Sequence, residues 1–199
     1  MKLFFQKLLI LFFVGFIFSS CSKDSESCAP IACYNQGVAN ANCGCDCAPG
    51  FTGADCSTLV TPKRILITKI RVSGFPNYNP DGNKWDIGNG IQNPDIIPYF
   101  AKDFGKTSLF LGLTMSNVSS TGNDTYDFVP VTPIAITDVN VKYSLLLYDD
   151  DTITTPSFEY MGGWDFTIYN SEFKTFPKIL SIGSGNGIVK FQIYLTYEW

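Results

Sequence analysis

Apolar and polar positions divide the chain into distinct regimes. Leu8 to Phe18 is an almost unbroken apolar run. Its length matches the core of a signal peptide, about 7–15 residues, and falls short of the roughly 20 residues that span a membrane. From Ile65 onward the pattern is that of strands. Lys69-Ile70-Arg71-Val72 alternates polar and apolar with period two, and Val189 to Tyr197 alternates throughout, as a strand with one buried face does. Val141 to Tyr148 is a further strand, rich in β-branched, aromatic and Leu residues. Shorter candidates are Asp95–Ala101, Ser108–Thr114, Pro133–Thr137 and Trp164–Tyr169, separated by Gly, Asn, Asp and Pro clusters. No long stretch carries helical periodicity. About seven or eight strands over residues 65–199 predict an all-β domain, an antiparallel β-sandwich.

Lys2 and Lys7 are the only charges before Cys21, and the apolar run ends in Phe18-Ser19-Ser20-Cys21. Small residues just before a Cys resemble the lipobox of bacterial lipoproteins, with Phe18 where a Leu-like residue is usual. The resemblance implies that residues 1–20 are a signal peptide and that Cys21 is diacylated, anchoring the mature protein in a membrane. Cysteine parity agrees, because six of the seven Cys lie between Cys28 and Cys56 and Cys21 is left over. Residues 21–27 form a short polar, acidic tether. It resembles the segments that send some Gram-negative lipoproteins to the cell surface, so the expected location is the outer membrane, lipid-anchored and surface-facing.

Without residues 1–20 the chain has twelve basic and eighteen acidic residues, a net charge of −6. That argues against nucleic acid, whose phosphates demand basic patches, and against bulk-charge binding to anionic lipid. Histidine is absent, which excludes Ser-His-Asp and Cys-His nucleophilic sites and any His-containing zinc site. Carboxylate pairs would be needed for hydrolysis. A small Cys-rich module and one further domain leave little room for a deep cleft, and the expectation is a non-enzyme.

Cys28, Cys33, Cys43, Cys45, Cys47 and Cys56 fall within residues 28–56. So short a segment cannot bury a sufficient core and needs staples. In an exported chain the spacing reads as a disulfide framework; the paired C-x2-C knuckles of zinc sites are missing. Spacing alone leaves fifteen connectivities. The tail Cys45-Asp46-Cys47-Ala48-Pro49-Gly50-Phe51-Thr52-Gly53-Ala54-Asp55-Cys56 resembles the end of an EGF-like domain, and Cys33-Tyr34-Asn35-Gln36-Gly37 resembles the turn before it. The resemblance implies pairing of Cys28 with Cys43, Cys33 with Cys45, and Cys47 with Cys56. Gly37, Gly50 and Gly53 are candidates for the positive φ of tight turns. Residues 57–64, with Pro62, read as a linker.

The acids of the large domain gather by strand parity. If consecutive strands run up and down, the connections Gly74–Pro94 and Asp149–Gly163 lie at one end. They bring Asp81, Asp86, Asp95, Asp149, Asp150, Asp151 and Glu159 together. Crowded carboxylates repel unless a cation sits among them, and calcium takes about 6–8 hard oxygen ligands from flexible loops. Asn93-Pro94-Asp95-Ile96-Ile97-Pro98-Tyr99, Tyr148-Asp149-Asp150-Asp151 and Glu159-Tyr160-Met161-Gly162 resemble the calcium loops of C2 domains, and Pro177–Ile182 resembles the segment before the last C2 strand. The resemblance covers residues 65–199 and implies a C2-like β-sandwich, with Asp95, Asp149, Asp151 and Glu159 as calcium ligands. Either Asp81 or Asp86 would join them from the first loop.

The functional expectation is a lipid-anchored envelope binding or adhesion protein whose acidic loops use calcium to contact a protein, glycan or lipid headgroup. The alternative is a carbohydrate-binding sandwich that captures glycan on Trp85 and Trp164, with Phe158 and Tyr160 nearby. Asn117-Val118-Ser119 and Asn123-Asp124-Thr125 match N-glycosylation acceptors by chance in a bacterial lipoprotein.

Overall fold

The computed structural model describes residues 29, 31–86, 92–120, 124–151, 158–173, 175–183 and 189–199. The signal segment, Cys21, the tether and Cys28 lie outside the described residues.

Two small hairpins open the described chain. Strands β1 (Val38–Ala39) and β2 (Cys45–Asp46) pair antiparallel, as do β3 (Phe51–Thr52) and β4 (Thr58–Leu59). Cys33 is bonded to Cys45 and Cys47 to Cys56, two of the three pairs that the EGF resemblance implies. Cys43 is also disulfide-bonded. Gly50 and Gly53 hold positive φ, but at the first turn Asn35 and Gln36 do so and Gly37 does not. Gly37 is there for space, since a Cβ would stand 2.7 Å from the Cys56 sulfur.

Residues 57–64 are not a free linker. β4 belongs to the second hairpin, Leu59 packs on the large core, and the next strand begins at Arg64. Gly50 sits against the far end of the sandwich, where Phe51 meets Phe176 edge-on at 5.5 Å and Phe176 meets Trp199 at 4.4 Å. At Gly50 a Cβ would strike both Phe176 and Trp199, on a backbone with φ of 93°. Gly50→Ala is therefore expected to loosen this contact and cost about 1–3 kcal/mol, seen as a lower thermal midpoint and exposure of Trp199 to a fluorescence quencher.

Nine strands build the sandwich: β5 (Arg64–Gly74), β6 (Ile96–Lys102), β7 (Thr107–Leu111), β8 (Tyr126–Phe128), β9 (Ile134–Ile136), β10 (Lys142–Asp150), β11 (Phe158–Thr167), β12 (Ile179–Ile182) and β13 (Lys190–Glu198). They form two antiparallel sheets, β11-β10-β6-β7 and β12-β13-β5-β8, with β9 also on β5. β13 follows β5 along its whole length, so β8 and β9 share the other edge, one behind the other. The all-β antiparallel class of the sequence reading holds. Among the described residues no helix is long and apolar enough to cross a membrane.

Alternation explains the core. Phe191, Ile193 and Leu195 of β13 and Tyr143, Leu145 and Leu147 of β10 all point inward and are buried. In β5 the buried residues are Ile65 and Ile67, then Ile70 and Val72, which breaks the period. Thr68 is the extra residue of a bulge: Lys69 pairs with Tyr194 and Ile67 with Leu195. Phe100 closes the core between the sheets, stacked on Tyr143 at 5.4 Å.

Two expectations need correction. Neither β8 nor β12 was among the candidate strands, although Pro177–Ile182 was read as resembling the segment before the last C2 strand. β11 starts at Phe158, not Trp164, so residues 158–163 are sheet and not loop. A second bulge, where Leu147 faces Gly162 but Tyr148 faces Tyr160, turns Met161 into the core and hides the period-two signal.

Candidate metal centre

Strand β10 makes the site. Asp149 follows Leu147 by two residues, so alternation directs it to the core face at the strand's end, and it is 0% exposed. The β5–β6 connection brings up Asp86, and Asp151 follows β10 directly. Asp86, Asp149 and Asp151 each offer a carboxylate oxygen, and these oxygens all lie within 4.8 Å of one another.

One Asp149 oxygen accepts a hydrogen bond from the Asp95 backbone N–H at 2.6 Å. The other, Oδ2, is buried and has no hydrogen-bond partner. A carboxylate oxygen left this way costs free energy that a proton or a cation would recover. Without a cation, burial, followed by the charges of Asp151, Asp86 and Asp95, pushes the Asp149 carboxyl up to about 7, against the Asp95 N–H that favours the ion. Burial, then the charges of Asp95 and Asp151, raises Asp86 to about 6, and a hydrogen bond with Asp151 adds to the rise. Three oxygens of like charge around an orphaned lone pair can hold a hard cation.

The remaining acids divide. Asp95 accepts from the Asn117 N–H at 2.6 Å, and its own carbonyl accepts from the Asp150 N–H at 2.8 Å; it orders the loop and adds negative potential from just outside the triad. Glu159 lies opposite Asp149 in the β10–β11 register and is half-buried, also outside the triad. Asp81 is exposed in the Asn79–Asn83 turn, with its N–H bound by the Asn79 side chain. Of the two first-loop candidates, the structure therefore brings Asp86 to the group. Asp150 points to the opposite face of β10, where Oδ2 accepts from the Thr114 hydroxyl.

The glycan platforms fare differently from their sequence reading. Trp85 is 3% exposed with its indole N–H on the Pro76 carbonyl at 2.7 Å, so it is a core residue and offers no ring to a sugar. Trp164 is 37% exposed, its indole N–H bound to the Val189 carbonyl. The sequence reading named Phe158 and Tyr160 but missed Tyr99 and Tyr148, which join them in a cluster of outward aromatics. Their signal was available: residues two apart on β6 and β10 that are neither charged nor inward-facing.

No protein-family model matches the chain, and no curated protein sequence matches it. Several solved structures are similar at low scores, among them the following three. Human GIVD cytosolic phospholipase A2 in complex with methyl gamma-linolenyl fluorophosphonate is 15% identical over 66% of this chain and 17% of its own, with TM-score 0.39. The paired C2 domains of extended-synaptotagmin 2, in their calcium-bound form, are 16% identical over 70% of this chain and 46% of their own, with TM-score 0.34. A second structure of that domain pair is 14% identical over 76% and 47%, again with TM-score 0.34. The chain spans less than half the length of each. Likenesses at these scores carry no weight for function, and the sandwich stands on its own sheets and registers.

Proposed function

We propose that this is a non-catalytic, lipid-anchored cell-envelope protein whose acidic sandwich end binds calcium and thereby engages a partner. The observation that carries the metal reading is the unpartnered, fully buried Asp149 Oδ2 within the Asp86–Asp149–Asp151 group. Calcium is the apt ion because the donors are all hard oxygens and two of the three acids, Asp86 and Asp151, sit in loops, which suits its flexible coordination. The absence of histidine and the net negative charge support binding over catalysis.

The anchor rests on the lipobox resemblance and on cysteine parity. Cys21→Ser is expected to move the protein from the membrane fraction to the soluble fraction and to abolish labelling by radioactive palmitate; unchanged membrane association would remove the anchor. For the metal, thermal denaturation of the full mature chain in EDTA and in millimolar calcium is the simplest test. A midpoint raised by several degrees in calcium, and unmoved by equal magnesium, supports the reading. No shift in millimolar calcium would end it.

A further inference from the structure

The end of the sandwich opposite the acidic group carries an exposed feature of its own. Ile136 of β9 pairs with Ile65 at the start of β5. Two residues on, Asp138 holds the Lys102 ammonium in an ion pair, and Lys102 is the last residue of β6. These contacts place the β6–β7 turn at the end where Arg64 joins the Cys-rich module, away from Asp149. Asp103, Phe104 and Gly105 of that turn hold φ of 55°, 56° and 84°. The Lys106 N–H donates to the Asp103 carbonyl at 3.4 Å. The Tyr99 hydroxyl donates to the Gly105 carbonyl at 3.2 Å, which pins the turn to the sheet.

Backbone preference alone would not put Phe104 in this turn. Left-handed central positions favour Asn and Gly, and a bulky side chain there is strained. Its ring recovers little by packing, since Phe104 is 69% exposed. Lys102 and Lys106 flank it. An exposed aromatic between lysines suits a membrane interface, where the ring sits among headgroups and the lysine stems snorkel. The tether brings such a surface within reach. Residue 29, the first described, follows Cys21 by eight positions, at most about 28 Å of extended chain. Charge agrees with this orientation. At the module end Asp138 and Glu198 neutralise Lys102 and Arg64, whereas Asp86, Asp149 and Asp151 crowd the far end and would repel headgroup phosphates.

We propose that the β6–β7 turn docks on the membrane that holds the Cys21 lipid, with Phe104 in the interface and the acidic end turned away from the bilayer. This rests on the lipid anchor proposed above. The contact can be weak, because the tether makes it intramolecular and keeps the local concentration high. The metal centre then faces a partner beyond the membrane, not the headgroups of its own bilayer.

The test couples the mature chain through the Cys21 thiol to phosphatidylcholine vesicles carrying a maleimide lipid, which imposes the anchor whether or not cells acylate Cys21. Lysines are then acetylated and read by mass spectrometry. Labelling of Lys106 is expected to fall on coupling by at least about threefold, the loss for a turn docked about two-thirds of the time. Lys190, opposite Gly74 at the far end, is expected to label as it does in solution. Phe104→Ser is expected to restore Lys106 labelling; it removes only an exposed ring, and circular dichroism reports its folding. Phe104→Trp is expected to show, on coupling, blue-shifted emission and quenching by brominated acyl chains beyond that of the wild type, and it keeps the test valid if Phe104→Ser unfolds. Unchanged Lys106 labelling, equal protection in Phe104→Ser, or Phe104→Trp emission indifferent to brominated lipid would overturn the docking. The anchor itself is decided separately, by palmitate labelling of Cys21.

Discussion

Asp149→Asn is expected to abolish calcium binding while making the calcium-free protein more stable at pH 7.5. The two effects have one cause. Asn keeps the oxygen that accepts from the Asp95 N–H but removes the charge that burial and three neighbouring acids disfavour. With the charge goes the deepest cation ligand. Saturating ligand stabilises a native state by about 2.7 kcal/mol at one hundred times the dissociation constant. For a chain of this size that raises the midpoint by roughly 5–10 °C. The wild type should show that rise on calcium addition and the variant should not, while the variant's midpoint in EDTA should lie above the wild type's. Melting curves followed by circular dichroism in the two buffers are the measurement. An equal calcium-dependent rise in both proteins would mean that Asp149 is no ligand.

The second large effect is a reversal of pH dependence by calcium. Asp149 and Asp86, at about 7 and about 6, are raised above their usual 3.8. Between these values the folded chain binds more protons than the unfolded one. Their contribution to stability is therefore full below pH 3.8 and is lost as pH rises through 6 and 7. Asp127 has the opposite sign: hydrogen bonds from Arg71 hold it down to about 2, so its contribution is present above 3.8 and lost as pH falls through 2. In EDTA the midpoint should fall from pH 5 as pH rises through about 6 and about 7, and level off above that. In saturating calcium the ionised carboxylates are the bound form, so the fall should vanish or reverse. A calcium-free midpoint that is flat or rises over this range contradicts the charge assignment.

How far the sequence led can be traced through particular residues. Period-two alternation located β13, and richness in β-branched, aromatic and Leu residues located β10, each almost to the residue, because neither strand carries a bulge in its own run. Alternation lost the phase of β5 at Thr68 and the start of β11 at Met161, since a bulge adds a residue that no propensity announces. β8 is three residues long on a sheet edge, too short for any periodicity to register. Strand parity nonetheless brought the right loops together. It did so although β8 went uncounted, because β8 and β9 both run antiparallel to β5 and their connection reverses nothing. Asp149, Asp151 and Asp86 were legible as acids at one end. That Asp149 is wholly buried follows from its phase on β10, two residues beyond Leu147, and only the fold shows that Asp95 spends its oxygen on Asn117. Trp85 was misread because an aromatic in a loop between charged residues gives no sign of folding back under Pro76. The Cys47–Cys56 and Cys33–Cys45 bonds were available only through resemblance, as spacing leaves the pairing open.

A crystal structure of the mature chain grown in calcium tests the central claim most directly. The account predicts an ion about 2.3–2.6 Å from carboxylate oxygens of Asp86, Asp149 and Asp151, with Asp149 Oδ2 among them. A structure with no ion there and the Asp149 oxygen still unpartnered would contradict it.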